Sequence, residues 1–195
     1  MKRKLYIIGA GSVGGHIANN IHDYIGNYTI EGFFDDDTEK IGTKQFGYDV
    51  LGPVSELLNL QHIKVAVGIA FPNVKKRIIE KLKKNKTLNY PTLIHKRAWI
   101  SNQVKVGMGS VVYPGTSINY GSNIGDFVVM NMNCALGHHT IVGNFSSLAP
   151  GVNTGGHTKI DNLVDMGIGA ATLQDVEIGE RCVVGGQAIV TRNVP

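Results

Sequence analysis

The amino-acid sequence predicts a Rossmann-like α/β domain followed by a parallel β-helix of hexapeptide repeats. From Ile94 to Val190, aliphatic residues recur at nearly every sixth position. Near the start of the chain, a glycine-rich turn separates an apolar strand pattern from a helical pattern. A period of six is neither helical nor that of an ordinary strand, so the two halves are expected to be separate domains. We place the boundary just after Pro91, which gives domains 1–93 and 94–195.

The composition indicates a folded soluble protein and excludes several other classes. Of the 195 residues, 43% are hydrophobic and 17% are charged, as in globular domains. No apolar run approaches the ~18 residues that a membrane-spanning helix needs. The apolar stretch after Lys4 is broken at Gly9, too early for a secretory signal. Two cysteines, Cys134 and Cys182, cannot form a disulfide framework, so we expect a reducing, cytoplasmic location.

The formal charge of +4 comes from residues 1–93, mainly from a basic segment at 75–86 that begins with Lys75. Ile78 and Leu82 are spaced as on one face of a helix, so the basic residues are expected on its solvated side. Nucleic-acid binding would require aromatic residues among the basic ones, and this segment has none. A solvated helix face is therefore predicted, with a nearby phosphate-bearing ligand as the alternative.

The first domain begins with a predicted strand, a glycine loop and a helix. The strand at 5–8 runs into Gly9, Gly11 and Gly14, which form a G-x-G-x-x-G motif before a helical pattern. These glycines let backbone N–H groups approach a phosphate at the start of the helix. Since such a motif also occurs in ordinary tight turns, further residues are needed to support a nucleotide site.

Two more predicted strands supply those residues. A strand at 29–34 ends at the acidic run 35–37, about 20 residues after the glycine loop, where a ribose-binding carboxylate is expected. A third strand at 63–67 ends at Gly68. Because about 90 residues is small for a complete dinucleotide-binding domain, we expect one mononucleotide-binding half.

The second domain carries the repeat without insertion. Fifteen of the seventeen positions in steps of six from Ile94 are Ile, Leu, Val or Met, and the exceptions are Thr154 and Thr172. Small or β-branched residues recur four positions later, from Ser110 to Ala188. Three short strands per coil would form a triangular prism with aliphatic side chains along its axis and small residues at its corners.

Coils of 18 residues stack as strands do in a sheet, so residues 18 apart lie above one another. This rule places His138 below Gly156 and His139 below His157. The two cysteines are 48 residues apart and do not stack. The periodicity does not determine the hand of the coil.

Together these features resemble the bacterial sugar acetyltransferases that include the bacillosamine-pathway UDP-amino-sugar N-acetyltransferases and the sialic acid O-acetyltransferases. The resemblance covers nearly the whole chain, and its motifs are specific in combination. They are Ile8-Gly9-Ala10-Gly11 through Gly14, Gly32-Phe33-Phe34-Asp35-Asp36-Asp37, Tyr48-Asp49-Val50-Leu51-Gly52-Pro53, Leu93-Ile94-His95-Lys96, Gly137-His138 and Leu148-Ala149-Pro150-Gly151.

The resemblance implies a left-handed β-helix and a homotrimer, with acetyl-CoA bound in clefts between neighbouring helices. It implies that His138 is the catalytic histidine and that the backbone of Gly156 binds the oxyanion. The implied acetyl-CoA contacts are Ser147, Ile168 and Gly186. The implied contacts to a nucleotide-activated sugar are Gly11, Ser12, Val13, Asp35, Asp36 and Gly68, with Asn131 near the active site.

The chain departs from the family at three places. His139 stands where the family usually has an acid directly after the catalytic histidine. Ser147 stands where many members carry a second histidine. Relatives usually continue beyond the stretch 190–195 with a segment along the CoA cleft, so we expect here either a trimmed cleft or a shortened form of the chain.

The resemblance implies N-acetylation of a UDP-4-amino-sugar type of substrate for surface glycan or glycoprotein synthesis, with His138 as general base. O-acetylation of sialic acid or another sugar is the alternative. A non-catalytic trimeric scaffold that binds a nucleotide is a third possibility. No nucleic acid partner, membrane span or metal is expected.

Each histidine of the candidate site also has a simpler interpretation. His138 could be a polar turn residue, and His139 with His157 could be a surface pair rather than a substrate or proton-relay pair. A zinc site is the rival idea, since trimeric β-helix carbonic anhydrases bind zinc between chains. Those enzymes typically pair histidines five residues apart with one farther upstream, and this chain lacks that spacing.

Overall fold

The structure is a computed structural model that describes residues 2–195. Contacts divide the chain into two compact units, which are described separately below. The first contains residues 2–70 and 74–93, and the second contains residues 71–73 and 94–195. The roles predicted for domains 1–93 and 94–195 stay predictions. No helix within residues 2–195 is both long and apolar enough to cross a bilayer.

The first unit is a five-stranded sheet with the strand order β3-β4-β2-β1-β5. All pairs are parallel except β3 with β4. Its strands are β1 (Arg3–Ile8), β2 (Tyr28–Phe34), β3 (Lys44–Gln45), β4 (Tyr48–Gly52) and β5 (Val65–Val67). Its helices are α1 (Ser12–Asn20), α2 (Pro72–Leu82) and the 3₁₀ helices Ile21–Asp23 and Val54–Leu58. The three predicted strands and the helix after the glycine loop are confirmed, with bounds that differ by a few residues.

The core of this unit lies around β1, the strand between β2 and β5. Leu5, Ile7 and Ile8 of β1 are fully buried, as expected for an inner strand of a parallel sheet. Helix α1 buries Ile17 and Ala18, which lie on one side of the helix. The strand, loop and helix are thereby fixed relative to each other.

Helix α2 corrects one expectation about the basic segment. Ile78, Ile79 and Leu82 are buried as predicted, but Lys75 is also fully buried rather than solvated. Lys75 precedes these residues by three, four and seven positions, so it lies on the same stripe of the helix. Its four-carbon stem is apolar enough to join that stripe. The position of Lys75 on the helix, rather than its charge, therefore determines that it is buried.

The second unit is a left-handed parallel β-helix of two-residue strands, which form three sheets, one on each face. The first face contains β6 (Leu93–Ile94), β9 (Val111–Val112), β12 (Val129–Met130), β15 (Ser147–Leu148), β18 (Asp165–Met166) and β21 (Val183–Val184). The second contains β7 (Trp99–Ile100), β10 (Ser117–Ile118), β13 (Ala135–Leu136), β16 (Asn153–Thr154), β19 (Ala171–Thr172) and β22 (Ile189–Val190). The third contains β8 (Lys105–Val106), β11 (Asn123–Ile124), β14 (Ile141–Val142), β17 (Lys159–Ile160) and β20 (Glu177–Ile178).

The strand register confirms the 18-residue stacking rule. Ile118 pairs with Leu136, and Leu136 pairs with Thr154 in the next coil. The inner side chains of all three faces form one continuous apolar core. Since each coil bonds to the next, the position of a turn residue fixes that of the residue 18 places later.

The small or β-branched residues that follow each inner aliphatic residue by four positions also lie inside the β-helix. Ser110, Thr116 and Cys134 are completely buried at the corners of the prism. Burial raises the pKa of the Cys134 thiol to about 12, so this sulfur stays protonated and serves as a packing atom. Cys182 is only partly buried and does not stack on Cys134.

Replacing one inner aliphatic residue should destabilise the β-helix. Ile118→Ala removes a side chain with 0% exposure and leaves a cavity, so unfolding should cost about 2–5 kcal/mol less than in the unchanged chain. Denaturant titration followed by circular dichroism measures the change. Ile189→Ala is the matched control, because Ile189 lies in the same sheet but is 65% exposed. Equal effects from both changes would contradict this account of the core.

Candidate functional site

Three successive turns at one edge of the β-helix present an aromatic cluster. Tyr120 lies between β10 and β11, His138 and His139 lie between β13 and β14, and His157 lies between β16 and β17. These turns all join the second face to the third. The 18-residue register therefore brings side chains from three coils together at one edge.

The backbone of these turns is fixed by hydrogen bonds between coils. The N–H of His139 donates to the carbonyl of Tyr120 at 2.9 Å, and the N–H of His157 donates to the carbonyl of His138 at 2.8 Å. His139 and His157 both have left-handed backbone angles, with φ of 57° and 58°. Two imidazoles one coil apart thus leave the backbone in the same direction.

The four rings pack in a specific arrangement. Tyr120 stacks on His138 with centroids 5.4 Å apart, and His139 stacks on His157 with centroids 4.8 Å apart and planes at 1°. His138 stands edge-on to both other imidazoles. Aromatic contacts of this kind add stability beyond area burial, so each ring restricts the orientation of the next.

A hydrogen bond joins the two adjacent histidines. Nδ1 of His138 lies 3.1 Å from Nδ1 of His139, so one of these nitrogens donates a proton and the other accepts it. When Nδ1 of His138 is the donor, its Nε2 keeps a lone pair. His139 thus occupies the place where the sequence comparison implied an acid, and it can accept the same hydrogen bond.

Gly156 lies against the His138 ring, as the stacking rule predicted. A β-carbon at Gly156 would come within 2.7 Å of both Cε1 and Nε2 of His138. Within residues 2–195, the N–H of Gly156 has no hydrogen-bond acceptor. A backbone N–H without an acceptor, in the residue that packs on the imidazole, is the kind of donor that an oxyanion site requires.

The two polar exceptions in the inner series lie beneath these turns. The hydroxyl of Thr154 accepts a bond from the N–H of Gly137 at 3.1 Å and lies 3.1 Å from the hydroxyl of Thr140. Thr140 in turn donates to the carbonyl of Gly137 at 2.8 Å. One coil later, Thr172 and Thr158 bond in the same way around the next glycine turn.

In the sequence these threonines interrupt the aliphatic series, and their part in the site was not predicted from it. Each pair hydrogen-bonds the backbone directly before a histidine-bearing turn and so fixes that turn. The two interruptions fall in the same coils as the Gly137-His138 and Gly156-His157 turns, and this coincidence could have identified the threonines as part of the site. Tyr120 was also missed, although it lies 18 residues before His138.

An open groove of about 550 Å³ adjoins this edge along the third face. Its polar lining includes the ion pair of Lys159 with Glu177, whose Nζ and Oε1 atoms are 2.5 Å apart. Asp175 follows His157 in the same column and also lines the groove. The groove can accept a polar ligand next to the imidazoles.

In the first unit, some glycines of the motif are required because other atoms pack against them, whereas one glycine has free space beside it. The carbonyl oxygen of Gly9 occupies the place that a β-carbon of Gly14 would take, and a β-carbon on Gly68 would meet Gly14 at 2.6 Å. Gly11 has nothing within 4 Å of a β-carbon and precedes α1 with no side-chain cap. With Ser12 also exposed while Val13 is buried, the helix start is open to a phosphate.

The acidic run 35–37 makes more internal bonds than the sequence analysis expected. Asp35 accepts a hydrogen bond from the N–H of Ala10 at 2.7 Å, which ties β2 to the glycine loop. The carboxylate of Asp36 accepts one from the N–H of Val54 at 2.9 Å and so fixes the start of a 3₁₀ helix. Only Asp35 of the two predicted sugar contacts is bonded to the loop itself.

The residues assigned to acetyl-CoA lie on a different edge from His138. Ile168 and Gly186 stack at the corner that joins the first face to the second, and Ser147 is buried in β15 on the first face. Asn131 follows β12 near that same corner, and its side chain accepts a bond from the N–H of Met132 at 2.8 Å. A single chain therefore does not bring these residues to the histidine cluster.

The comparisons with known proteins agree with both units. The PglD N-terminal domain family matches residues 4–82. GDP-perosamine N-acetyltransferase from Escherichia coli O157:H7 is 26% identical over 137 residues, which are 69% of this chain and 61% of that protein. The chain thus spans less than two thirds of the length of this curated relative.

Solved structures match over the whole chain. The acetyltransferase domain of PglB from Neisseria gonorrhoeae FA1090 has a TM-score of 0.90 and 28% identity, covering 100% of this chain and 94% of that one. A variant of perosamine N-acetyltransferase from Caulobacter crescentus in which one histidine is replaced by asparagine has been solved with CoA and GDP-perosamine. It has a TM-score of 0.73 and 25% identity, covering 98% of this chain and 90% of that one. The resemblance recognised in the sequence, including the left-handed β-helix, is confirmed.

A side chain at position 156 should displace the His138 imidazole. Gly156→Ala places a methyl carbon only 2.7 Å from Cε1 and Nε2 of His138, closer than van der Waals contact allows, so the ring must move away. The NMR resonance of the His138 Cε1 proton should shift, while the circular dichroism spectrum stays that of the folded chain. Gly185→Ala is the control, because no atom lies within 4 Å of a β-carbon there. An unmoved His138 resonance in Gly156→Ala would disprove the contact.

Proposed function

We propose that this chain, which belongs to the hexapeptide-repeat sugar acetyltransferases, transfers the acetyl group of acetyl-CoA to the amine of a nucleotide-linked amino sugar. The observation that carries the proposal is the His138 imidazole packed against Gly156, whose N–H has no acceptor within residues 2–195. The PglB domain has been solved with acetyl coenzyme A, and the Caulobacter relative with GDP-perosamine. The nucleotide-type loop of the first unit is in keeping with such a substrate.

His138 acts as the general base. A protonated amine cannot attack a thioester, and an imidazole has a suitable proton affinity near neutral pH. In the proposed step, Nε2 of His138 takes a proton from the sugar nitrogen as that nitrogen bonds to the thioester carbonyl carbon. The bond to Nδ1 of His139 holds the ring with Nε2 directed to the substrate. The C–S bond then breaks, and the leaving CoA thiolate takes the proton from Nε2 of His138, which returns the imidazole to its neutral form.

Gly156 stabilises the intermediate. Attack on the carbonyl places negative charge on its oxygen, and the N–H of Gly156, which has no acceptor in the described part of the chain, donates a hydrogen bond to that oxygen in this proposal. Neither cysteine acts as a nucleophile in this proposal. The Cys134 thiol is buried and its pKa is raised, and Cys182 lies between β20 and β21, on a different edge from His138. Transfer is therefore direct from acetyl-CoA to the amine.

The first unit binds the nucleotide of the substrate. Its phosphates lie at the exposed start of α1 by Gly11 and Ser12, with Asp35 holding the loop in place. A UDP-4-amino sugar is the substrate type that the family resemblance favours. The Escherichia coli relative is named for GDP-perosamine and the Caulobacter relative was solved with it, so both nucleotides belong in the test.

A homotrimer completes the acetyl-CoA site in this proposal. Ser147, Ile168 and Gly186 lie on an edge different from that of His138 within one chain. In a threefold assembly, one edge of each prism faces a different edge of its neighbour, so residues of two chains can share one cleft. The exposed Ile168 side chain, 61% accessible, is then available to the bound cofactor. We place the assembly in the cytoplasm.

The function is tested by incubating the purified chain with acetyl-CoA and a UDP-4-amino sugar, GDP-perosamine or sialic acid in turn. Release of CoA thiol with a product one acetyl group heavier, dependent on a free amine, is expected. Product formed only from sialic acid would favour O-acetylation. Nucleotide-sugar binding without thiol release would favour a scaffold.

Loss of the imidazole at position 138 should abolish most of the turnover. His138→Ala removes the proposed base, which should lower kcat by about 100-fold or more while the fold is retained. Thiol release measures the rate. His22→Ala is the control, because His22 lies in a surface pair with Asp23 in the first unit, and it should behave as the unchanged chain. Unchanged turnover in His138→Ala would remove this residue from the mechanism.

Two glycine changes should separate ligand binding from folding in the first unit. Gly11→Ala meets no protein atom within 4 Å, so the chain should fold normally but bind the nucleotide sugar about tenfold or more weakly, since its methyl group occupies the phosphate approach. Calorimetric titration with a nucleotide sugar measures the affinity. Gly14→Ala should instead destabilise the fold, because the Gly9 carbonyl lies in its place. Full affinity in Gly11→Ala would move the phosphate site elsewhere.

A further inference from the structure

The three imidazoles of the candidate site are close enough to share a metal ion. One ring nitrogen from each of His138, His139 and His157 lies within 4.8 Å of the others. His138 is partly buried, and the other two are exposed. None of the three forms an ion pair with a carboxylate within residues 2–195.

The separation of two of these nitrogens already suits tetrahedral coordination. Zinc binds imidazole nitrogens at about 2.0–2.1 Å, so two ligands at a tetrahedral angle are about 3.3 Å apart. The Nδ1 atoms of His138 and His139 are 3.1 Å apart. The pair that shares a proton in the free protein therefore already has nearly the separation of two zinc ligands, and its rings must turn until both lone pairs face the ion.

The third ligand requires a modest rotation. The ring of His157 stacks parallel to that of His139. Its ligand nitrogen lies within 4.8 Å of those of His138 and His139, so it must approach by at most about 1.5 Å to reach the tetrahedral spacing. Its ring is exposed, and its turn is anchored through the backbone rather than through the side chain. Rotation about its side-chain bonds is therefore available without disturbing the coil.

The ligand chemistry selects the class of ion. Three neutral imidazoles suit Zn²⁺ and other late first-row metals, whereas Ca²⁺ and Mg²⁺ prefer oxygen ligands. Asp175 lies in the same column as His139 and His157 and adds negative charge nearby. The neighbouring Lys159 is paired with Glu177, which offsets its repulsion of a cation. Three protein ligands leave a fourth position open.

We propose that the cluster of His138, His139 and His157 binds Zn²⁺ reversibly and that the bound ion inhibits acetyl transfer. This second part relies on the proposed function, because a metal ion on His138 occupies a lone pair and fixes the ring away from its role as base. The ion is an inhibitor here and takes no part in the transfer. The site is thus a metal-sensitive control on the same residue that accepts the proton.

Metal binding is tested first, without substrate. Metal-free chain is titrated with Zn²⁺ against a chromogenic chelator, and one ion per chain is expected. His139→Asn and His157→Asn should each weaken binding about tenfold or more. His22→Asn should not. Co²⁺ should give the intense visible absorption of a tetrahedral site, and Ca²⁺ should not compete. Equal zinc affinity in the double variant His139→Asn/His157→Asn would overturn the site.

Inhibition is tested separately, with product measured by mass because CoA thiols also bind zinc. For each variant, turnover with zinc is divided by turnover without zinc, so a change in basal turnover does not affect this ratio. The unchanged chain should lose activity with zinc and regain it with EDTA, and His157→Asn should require about tenfold more zinc. If the chain is active in EDTA and zinc at levels that saturate the site does not lower its turnover, the proposed inhibition is refuted. The proposed binding site would still stand. An inactive chain in EDTA that still binds zinc would refute the proposed function but not the site.

Discussion

The inward aliphatic side chain on each short strand is the constraint on which the rest of the second unit depends. These residues must face a narrow dry axis, so the chain cannot slip by one residue without turning an apolar side chain to water. The register is therefore fixed at 18 residues per coil from one end of the prism to the other. Turn residues far apart in sequence then acquire fixed neighbours. The position of His138 beside Gly156 is a consequence of this packing and needs no long-range contact of its own.

Much of the β-helix could be predicted because one rule acts at every coil. The core positions, the buried corner residues and the two histidine columns all follow from the period. Ring orientation could not be predicted, because it depends on stacking between Tyr120, His138 and the neighbouring imidazoles. The most informative positions were those where the rule fails. Thr154 and Thr172 interrupt the aliphatic series where backbone at the two histidine turns needs a hydroxyl partner.

The first unit was less predictable, because its motifs combine two tasks in the same residues. The glycine pattern correctly indicated a strand, a tight loop and a helix. It did not reveal that Gly9, Gly14 and Gly68 are required by packing, whereas Gly11 alone is open. Equally, spacing placed Asp36 near the loop, but its carboxylate caps a 3₁₀ helix. A short polar side chain has several backbone partners within reach, and sequence spacing does not choose among them.

The replacement of an acid by His139 links base catalysis and metal sensitivity through one geometric feature. A carboxylate at this position would orient the His138 ring by accepting its Nδ1 proton and would also attract positive charge to the ring. An imidazole can accept the same bond while remaining neutral, so the ring is oriented without that electrostatic stabilisation of its charged form. The short distance that permits the bond, 3.1 Å between nitrogens, is also close to the spacing of two ligands on zinc. A proton and a metal ion therefore compete for the same pair of lone pairs. With His157 stacked one coil away, the balance between them depends on how far a single exposed ring can turn.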